Sequence, residues 1–171
     1  MSKAVIFFAP GLEECEGLLC VDILRRAGVE VTIAAVGGER IVKSARQVNV
    51  VADALAEELD YAAFDACILP GGIPGVPNLK ADATVRQVCT DFAAAGKKVC
   101  AICAAPTVLG HAGLLDGKHA TCYPGCEDGL TGAICDTGAF RNTGAINYTG
   151  AIRNTGTIGN TGTFRDTGGQ K

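Results

Sequence analysis

The stretch Val99-Cys100-Ala101-Ile102-Cys103-Ala104-Ala105-Pro106-Thr107 decides how this chain folds. The apolar run 97–102 reads as a buried strand, and a helical pattern over 106–112 follows with almost no loop. Cys103 stands on the hinge. A side chain on so sharp a strand-to-helix turn projects from the end of the sheet, against the positive N-terminus of the next helix. For a thiol, that position predicts a depressed pKa and a larger thiolate fraction near neutral pH. Cys103 is therefore the first candidate nucleophile. The competing reading is inert packing, the usual fate of a free cysteine, and the chain holds nine.

A partner comes from the helix read over residues 12–28, which Gly28 stops. At about 100° per residue, Leu12, Leu19, Cys20, Ile23 and Ala27 form one apolar stripe with Glu16 in its middle. Glu14 and Arg25 fall on the opposite side. A carboxylate within an apolar stripe is costly unless paired or protonated. Two readings stand. Glu16 escapes to solvent near the helix start, or it is buried, protonated and donates a hydrogen bond to the Cys103 thiolate. The second makes the two groups a coupled pair, with a lowered thiol and a raised acid.

Composition bounds the rest. At 171 residues there is room for one domain with a real core. A net charge of −3 without a basic cluster makes nucleic acid a poor partner. Residues 1–8 are too short in their apolar part for a signal peptide and run into a turn at Pro10-Gly11. No apolar run approaches the length of a membrane span, so no membrane association is expected. An odd number of irregularly spaced cysteines points to free thiols in a reducing compartment, the cytoplasm.

Strands are predicted over 3–8, 29–36, 63–69 and 97–102, with a short one near 118–123. A small hairpin over 40–51 follows Gly37-Gly38, and a helix over 82–95 places Val85, Val88, Cys89 and Phe92 on one face. Alternating strands and helices predict an α/β fold with a mainly parallel sheet covered on both faces. Gly11, Gly72 and Cys103 all follow strand ends, where such sheets bind ligands, so they should converge on one edge.

After residue 130 the chain changes character. Thr-Gly recurs at 131, 137, 143, 149, 155, 161 and 167, in a unit Thr-Gly-Ala/Thr-Ile/Phe-x-Asn/Asp. One large apolar residue in six is neither a helical nor a strand period. A hexapeptide solenoid would have only about two coils of roughly 18 residues here. The expected organisation is a domain over 1–130 and a disordered repeat tail over 131–171; a solenoid-like stack and ordering against the domain are the other readings.

The motifs together carry a resemblance. Gly11-Leu12-Glu13-Glu14-Cys15-Glu16, Val21-Asp22-Ile23-Leu24-Arg25-Arg26-Ala27-Gly28, Leu69-Pro70-Gly71-Gly72 and Ala101-Ile102-Cys103-Ala104-Ala105-Pro106 follow one another in order. Through them residues 1 to about 128 resemble the ThiJ/PfpI superfamily, in the branch of the parkinsonism-associated deglycase and its bacterial homologues. The resemblance implies a flavodoxin-like three-layer α/β sandwich, usually dimeric, working without metal or added cofactor. It implies that Cys103 is the reactive cysteine and Glu16 its acid. Backbone N–H groups of Gly72 and Ala104 would form the oxyanion hole, and Arg46 would reach the neighbouring site in a homodimer. The implied activity is that of a cysteine-dependent glyoxalase or deglycase, acting on methylglyoxal-like α-oxoaldehydes or early glycation adducts. The implied alternative is a non-catalytic oxidative-stress sensor or holdase chaperone, acting through oxidation of Cys103.

Two departures accompany it. Where some members carry a histidine after the next strand, this chain has Thr121-Cys122-Tyr123-Pro124, leaving Glu16 or water as base. The family's closing quarter is replaced by the repeats. Other readings are weaker. Cys100-x-x-Cys103 has thioredoxin spacing, but Cys100 lies inside the predicted strand. Adding Cys122 and Cys126 sketches a zinc ribbon without its glycine knuckles. A protease-like Cys-His pair fails because Ala104 follows the cysteine and His111 lies two turns down the helix.

Overall fold

The structure is a computed structural model that describes residues 1–135 and 145–147. Along the chain run β1 (Lys3–Phe8), α1 (Glu14–Arg26), β2 (Glu30–Ala35), β3 (Ile41–Lys43), β4 (Asn49–Val51), β5 (Ala54–Leu55) and β6 (Ala66–Leu69). Then come α2 (Gly75–Ala81), α3 (Ala83–Ala94), β7 (Lys98–Ile102), α4 (Pro106–His111), β8 (His119–Ala120), β9 (Ile134–Cys135) and β10 (Ala145–Asn147).

The central sheet has the order β10-β7-β6-β1-β2-β5. All its pairs are parallel except the last added, β10, which runs antiparallel along β7 with Ala145 opposite Ile102. The apolar sequence of β1 explains its central place. Val5, Ile6, Phe7 and Phe8 are wholly buried, which requires cover on both faces of the sheet. Phe7, Leu69, Val99, Val85, Phe92 and Leu109 form one layer, towards α3 and α4. Ile6, Phe8, Leu12, Val21 and Ile33 form the other, under α1. The predicted face of α3 (Val85, Val88, Cys89, Phe92) is buried throughout, and the Asp82 carboxylate caps the helix by accepting the Val85 N–H at 2.9 Å.

The stripe expected on the first helix is corrected. Gly17 and Val21 face the sheet, with Cys20 and Leu24 packed beside them. Leu19 and Ile23 are 57% and 55% exposed. The cause is Gly17: a Cβ there would lie 2.9 Å from both Leu12 Cδ1 and the Phe8 ring. The glycine lets that side of α1 settle closest to β1, and the larger apolar residues turn outward.

The hairpin β3–β4 pairs Ile41 with Val51 and folds back onto the start of α1. Gly11 donates to the Lys43 carbonyl and Ala45 to the Leu12 carbonyl, both at 2.8 Å. The strand expected near 118–123 is short and pairs in parallel with β9 rather than joining the central sheet. The disordered-tail expectation falls mainly on residues 136–144 and 148–171, which lie outside the described residues.

Candidate active site

Three adjacent strands, β1, β6 and β7, end on the same edge, and the loops leaving them meet there. Glu13 donates its N–H to the Gly71 carbonyl at 2.8 Å, and Gly75 donates to the Gly11 carbonyl at 3.0 Å. Gly72, at φ 107, lies so close to the 11–13 backbone that a Cβ would fall 2.5 Å from the Leu12 carbonyl carbon. Only glycine meets both demands. The expected convergence of Gly11, Gly72 and Cys103 is thus present in the structure.

Glu16 sits in the first turn of α1, whose cap is Glu13: its carboxylate accepts the Glu16 N–H at 2.7 Å. The Glu16 carboxylate points inward and accepts the Gly71 N–H at 2.8 Å. Of the two readings for this residue, escape to solvent does not occur. Cys103 approaches from the other side. A Cβ on Gly71 would lie 2.5 Å from Glu16 Oε2, 2.6 Å from Cys103 Cβ and 3.0 Å from Cys103 Sγ. Carboxylate and sulfur therefore crowd one glycine.

Cys103 is one of two non-glycine residues at positive φ among the described residues, at 61°, and it occupies the predicted elbow between β7 and α4. Its carbonyl accepts the Tyr123 N–H at 2.7 Å, which ties the elbow to the segment after β8. The expected depression of its pKa is corrected. The thiol is pushed up to about 11, first by burial, then by its hydrogen bond to Glu16 and by that carboxylate's charge. The N–H groups of Ala104 and Gly72 pull the other way. The helix field fails for a plain reason: α4 has only six residues and opens on proline, which has no N–H to offer. The hydrogen bond to the Glu16 carboxylate and that carboxylate's charge thus hold the proton on sulfur. Moving that proton to Glu16 turns both of its contributions from opposing to favouring the thiolate.

Arg46 stands apart from this cluster. It is exposed in the turn of the hairpin, beside Glu14. The Glu14 carboxyl is held below its ordinary value, first by its own backbone N–H and further by the Ser44 hydroxyl and Arg46. Sequence reasoning missed the role of Gly71, whose signal was the Pro70-Gly71-Gly72 turn after β6. It also missed a groove of about 460 Å³ that opens from Ala104 between α2 and α4.

A mainly parallel sheet, helices on both faces, and a cysteine elbow meeting a carboxylate at the carboxyl end of the strands define a flavodoxin-like protein with a thiol site. The chain belongs to the DJ-1/PfpI family, whose pattern matches residues 2–145. It is 38% identical over 131 residues to the protein dj-1beta of Drosophila melanogaster, covering 76% of this chain and 70% of that one. It is 32% identical over 130 residues to the glutathione-independent glyoxalase DJR-1.2 of Caenorhabditis elegans, covering 75% of this chain and 68% of that one. The solved structure of oxidized Toxoplasma gondii DJ-1 superposes with a TM-score of 0.76 at 34% identity, over 84% of this chain and 78% of that one.

Proposed function

We propose that the protein is a cysteine-dependent enzyme of glyoxalase or deglycase type, acting on methylglyoxal-like α-oxoaldehydes or on early glycation adducts. The observation that carries this is the crowding of Glu16 Oε2 and Cys103 Sγ around Gly71. The relative described as a glutathione-independent glyoxalase supports it.

The chemistry follows from the groups present. The Cys103 sulfur adds to the aldehyde carbon, a C–S bond forms, and the carbonyl π pair becomes an oxyanion that the Gly72 and Ala104 N–H groups receive. The thiol proton ends on that oxygen, giving a hemithioacetal. Glu16 takes the proton from the former aldehyde carbon and returns it to the neighbouring carbon, while the hemithioacetal hydroxyl proton passes to the ketone oxygen, so the ketone becomes an alcohol and the hemithioacetal a thioester. Water then cleaves the C–S bond, releasing lactate and restoring the thiol. No redox partner is needed, since one carbon is oxidised as its neighbour is reduced. For a glycation adduct the same thiol and acid would act on the hemithioacetal or hemiaminal carbon.

The site is read as completed by a second copy of the chain. Leu18, Leu19 and Ile23 on α1 lie exposed, as do Ile41, Val48 and Val51 of the hairpin. A homodimer through this face would cover them and carry Arg46 towards the neighbouring site. The nine free cysteines fit a reducing compartment, and the cytoplasm is the proposed location. Among the described residues no helix is long and apolar enough to cross a membrane.

A second reading has its own support. The Toxoplasma gondii neighbour is described as oxidized, and the Cys103 sulfur here faces backbone N–H donors suited to oxyanions. Attack of the thiolate on a hydroperoxide would form an S–O bond, break the O–O bond and release water or alcohol. A second equivalent would give the sulfinate. That chain of events describes an oxidative-stress sensor or holdase rather than an enzyme.

Lactate formation from methylglyoxal by purified protein, beside Cys103→Ala, tests the two. Turnover that disappears in the variant supports the enzyme. A folded wild type without turnover, yet gaining two oxygen atoms on Cys103 at low peroxide, replaces it with the sensor.

A further inference from the structure

We propose that the groove opening from Ala104 is the subsite for the carboxylate end of an α-oxoaldehyde adduct, with Lys80 as the residue that selects it. The inference rests on the reading of Cys103 as the nucleophile and names the carrier its substrate would bring.

The groove holds about 460 Å³, of which a three-carbon dicarbonyl fills only a small part. Its near end is Ile73 and Ala104, the residues that follow Gly72 and Cys103. Its walls are the apolar Val76 and Pro77 of α2 and Thr107 of α4. Thr107 turns its hydroxyl to the Ala104 carbonyl at 2.7 Å. Among the described residues that line it, three are basic, Lys80, Arg86 and His111, and none is a carboxylate.

These three are not equivalent. The Arg86 guanidinium donates to the Lys80 and Ala81 carbonyls at 2.8 and 2.9 Å, closing the end of α2 and fixing the rim. Neither Lys80 nor Arg86 makes an ion pair among the described residues, and what sets Lys80 apart is that its ammonium is not spent on those carbonyls. The nearest acids along the chain are occupied elsewhere. Asp82 caps α3, and Glu127 accepts the Gly125 N–H at 2.7 Å. An apolar channel with an unneutralised cation beyond it complements a single negative charge on an apolar spacer. A carboxylate fits better than a phosphate. The helix end at Lys80 is a C-terminus, whose carbonyls oppose a dianion more than a single charge. The occupant is thus an adduct of the dicarbonyl with a thiol or amine that bears a carboxylate, as amino acids and small peptides do.

The test uses S-(2-oxopropyl)-N-acetylcysteine, which carries the ketone and the carboxylate but no aldehyde, beside its uncharged amide. Both are titrated calorimetrically into the full chain, wild type, Lys80→Gln and Lys80→Arg. The carboxylate form should bind the wild type roughly fivefold tighter than the amide, a preference that weakens with added salt. The preference should vanish in Lys80→Gln and persist in Lys80→Arg. Equal binding of the two forms, binding of neither, or a preference that survives Lys80→Gln overturns the assignment. Lactate formation by the same wild-type preparation separates this from the parent reading. A carboxylate preference without turnover upholds the subsite and removes the enzyme, whereas turnover without preference removes the subsite alone.

Discussion

Gly71 and Glu16 are joined by a 2.8 Å hydrogen bond from the glycine N–H to Oε2, and the space above that glycine is already taken by Cys103. A single methyl group at position 71 would strike both. Gly71→Ala should therefore displace the carboxylate from the sulfur, abolish lactate formation and cost about 1–3 kcal/mol of stability, the usual cost of overpacking. Retention of full turnover by a folded Gly71→Ala would show that the contact has no part in the chemistry.

Replacing Glu16 separates its two duties. In Glu16→Gln the charge that helps hold the proton on sulfur is gone, and the amide can turn its N–H to the sulfur, so the Cys103 thiol should titrate below its present value of about 11. The pH dependence of iodoacetamide alkylation reads this directly. Turnover should nevertheless fall by about 10²–10⁴, because no group is left to carry the carbon proton. An unshifted alkylation profile would mean that the carboxylate does not act on the sulfur.

Alkali should weaken the fold. Burial raises the Cys100 thiol from 9.0 to about 11, and Cys103 likewise. Unfolding returns both to their ordinary value. Below pH 9 folded and unfolded chains both keep these protons and the stabilisation is whole. Between about pH 9 and 11 the unfolded chain releases its protons first, so stability falls through that window. By pH 10 Cys100 alone should cost on the order of 1 kcal/mol. Urea unfolding under reducing conditions near pH 8 and near pH 10 measures the drop, and Cys100→Ala should shrink it.

The outward face of α1 gives a further expectation. Ile23→Glu should leave the fold intact, since the side chain is mostly exposed, but should prevent self-association. Sedimentation of wild type as a dimer and of Ile23→Glu as a monomer is the expected result. A wild type that sediments as a monomer at all concentrations would remove the dimer and the proposed reach of Arg46.

How legible this was in the chain depended on the kind of signal. The buried strands β1, β2 and β7 and the inner face of α3 could be read because apolar periodicity and burial coincide there. On α1 they part company: Leu19 and Ile23 obey the period yet face outward, because Gly17 sets which side approaches the sheet. The helix α2 was hidden by Gly75 and Pro77, residues that ordinarily argue against a helix. That Gly11, Gly72 and Cys103 would meet on one edge was readable from the strand ends they follow, whereas the part of Gly71 was not. The direction of the thiol's pKa was not, since it depends on burial and on a carboxylate 87 positions away in the chain.

The backbone of Cys103 carries one more consequence. At φ 61 it occupies a region where glycine rests without strain and a side-chain-bearing residue does not. The most stable residue for this elbow is thus not the one found there. Cys103→Gly should unfold at a higher temperature than the wild type while being chemically inert, and Cys103→Ala should be inert without that gain. Reactivity and thermal endurance are set against each other at a single α-carbon, and the cysteine at that position favours reactivity.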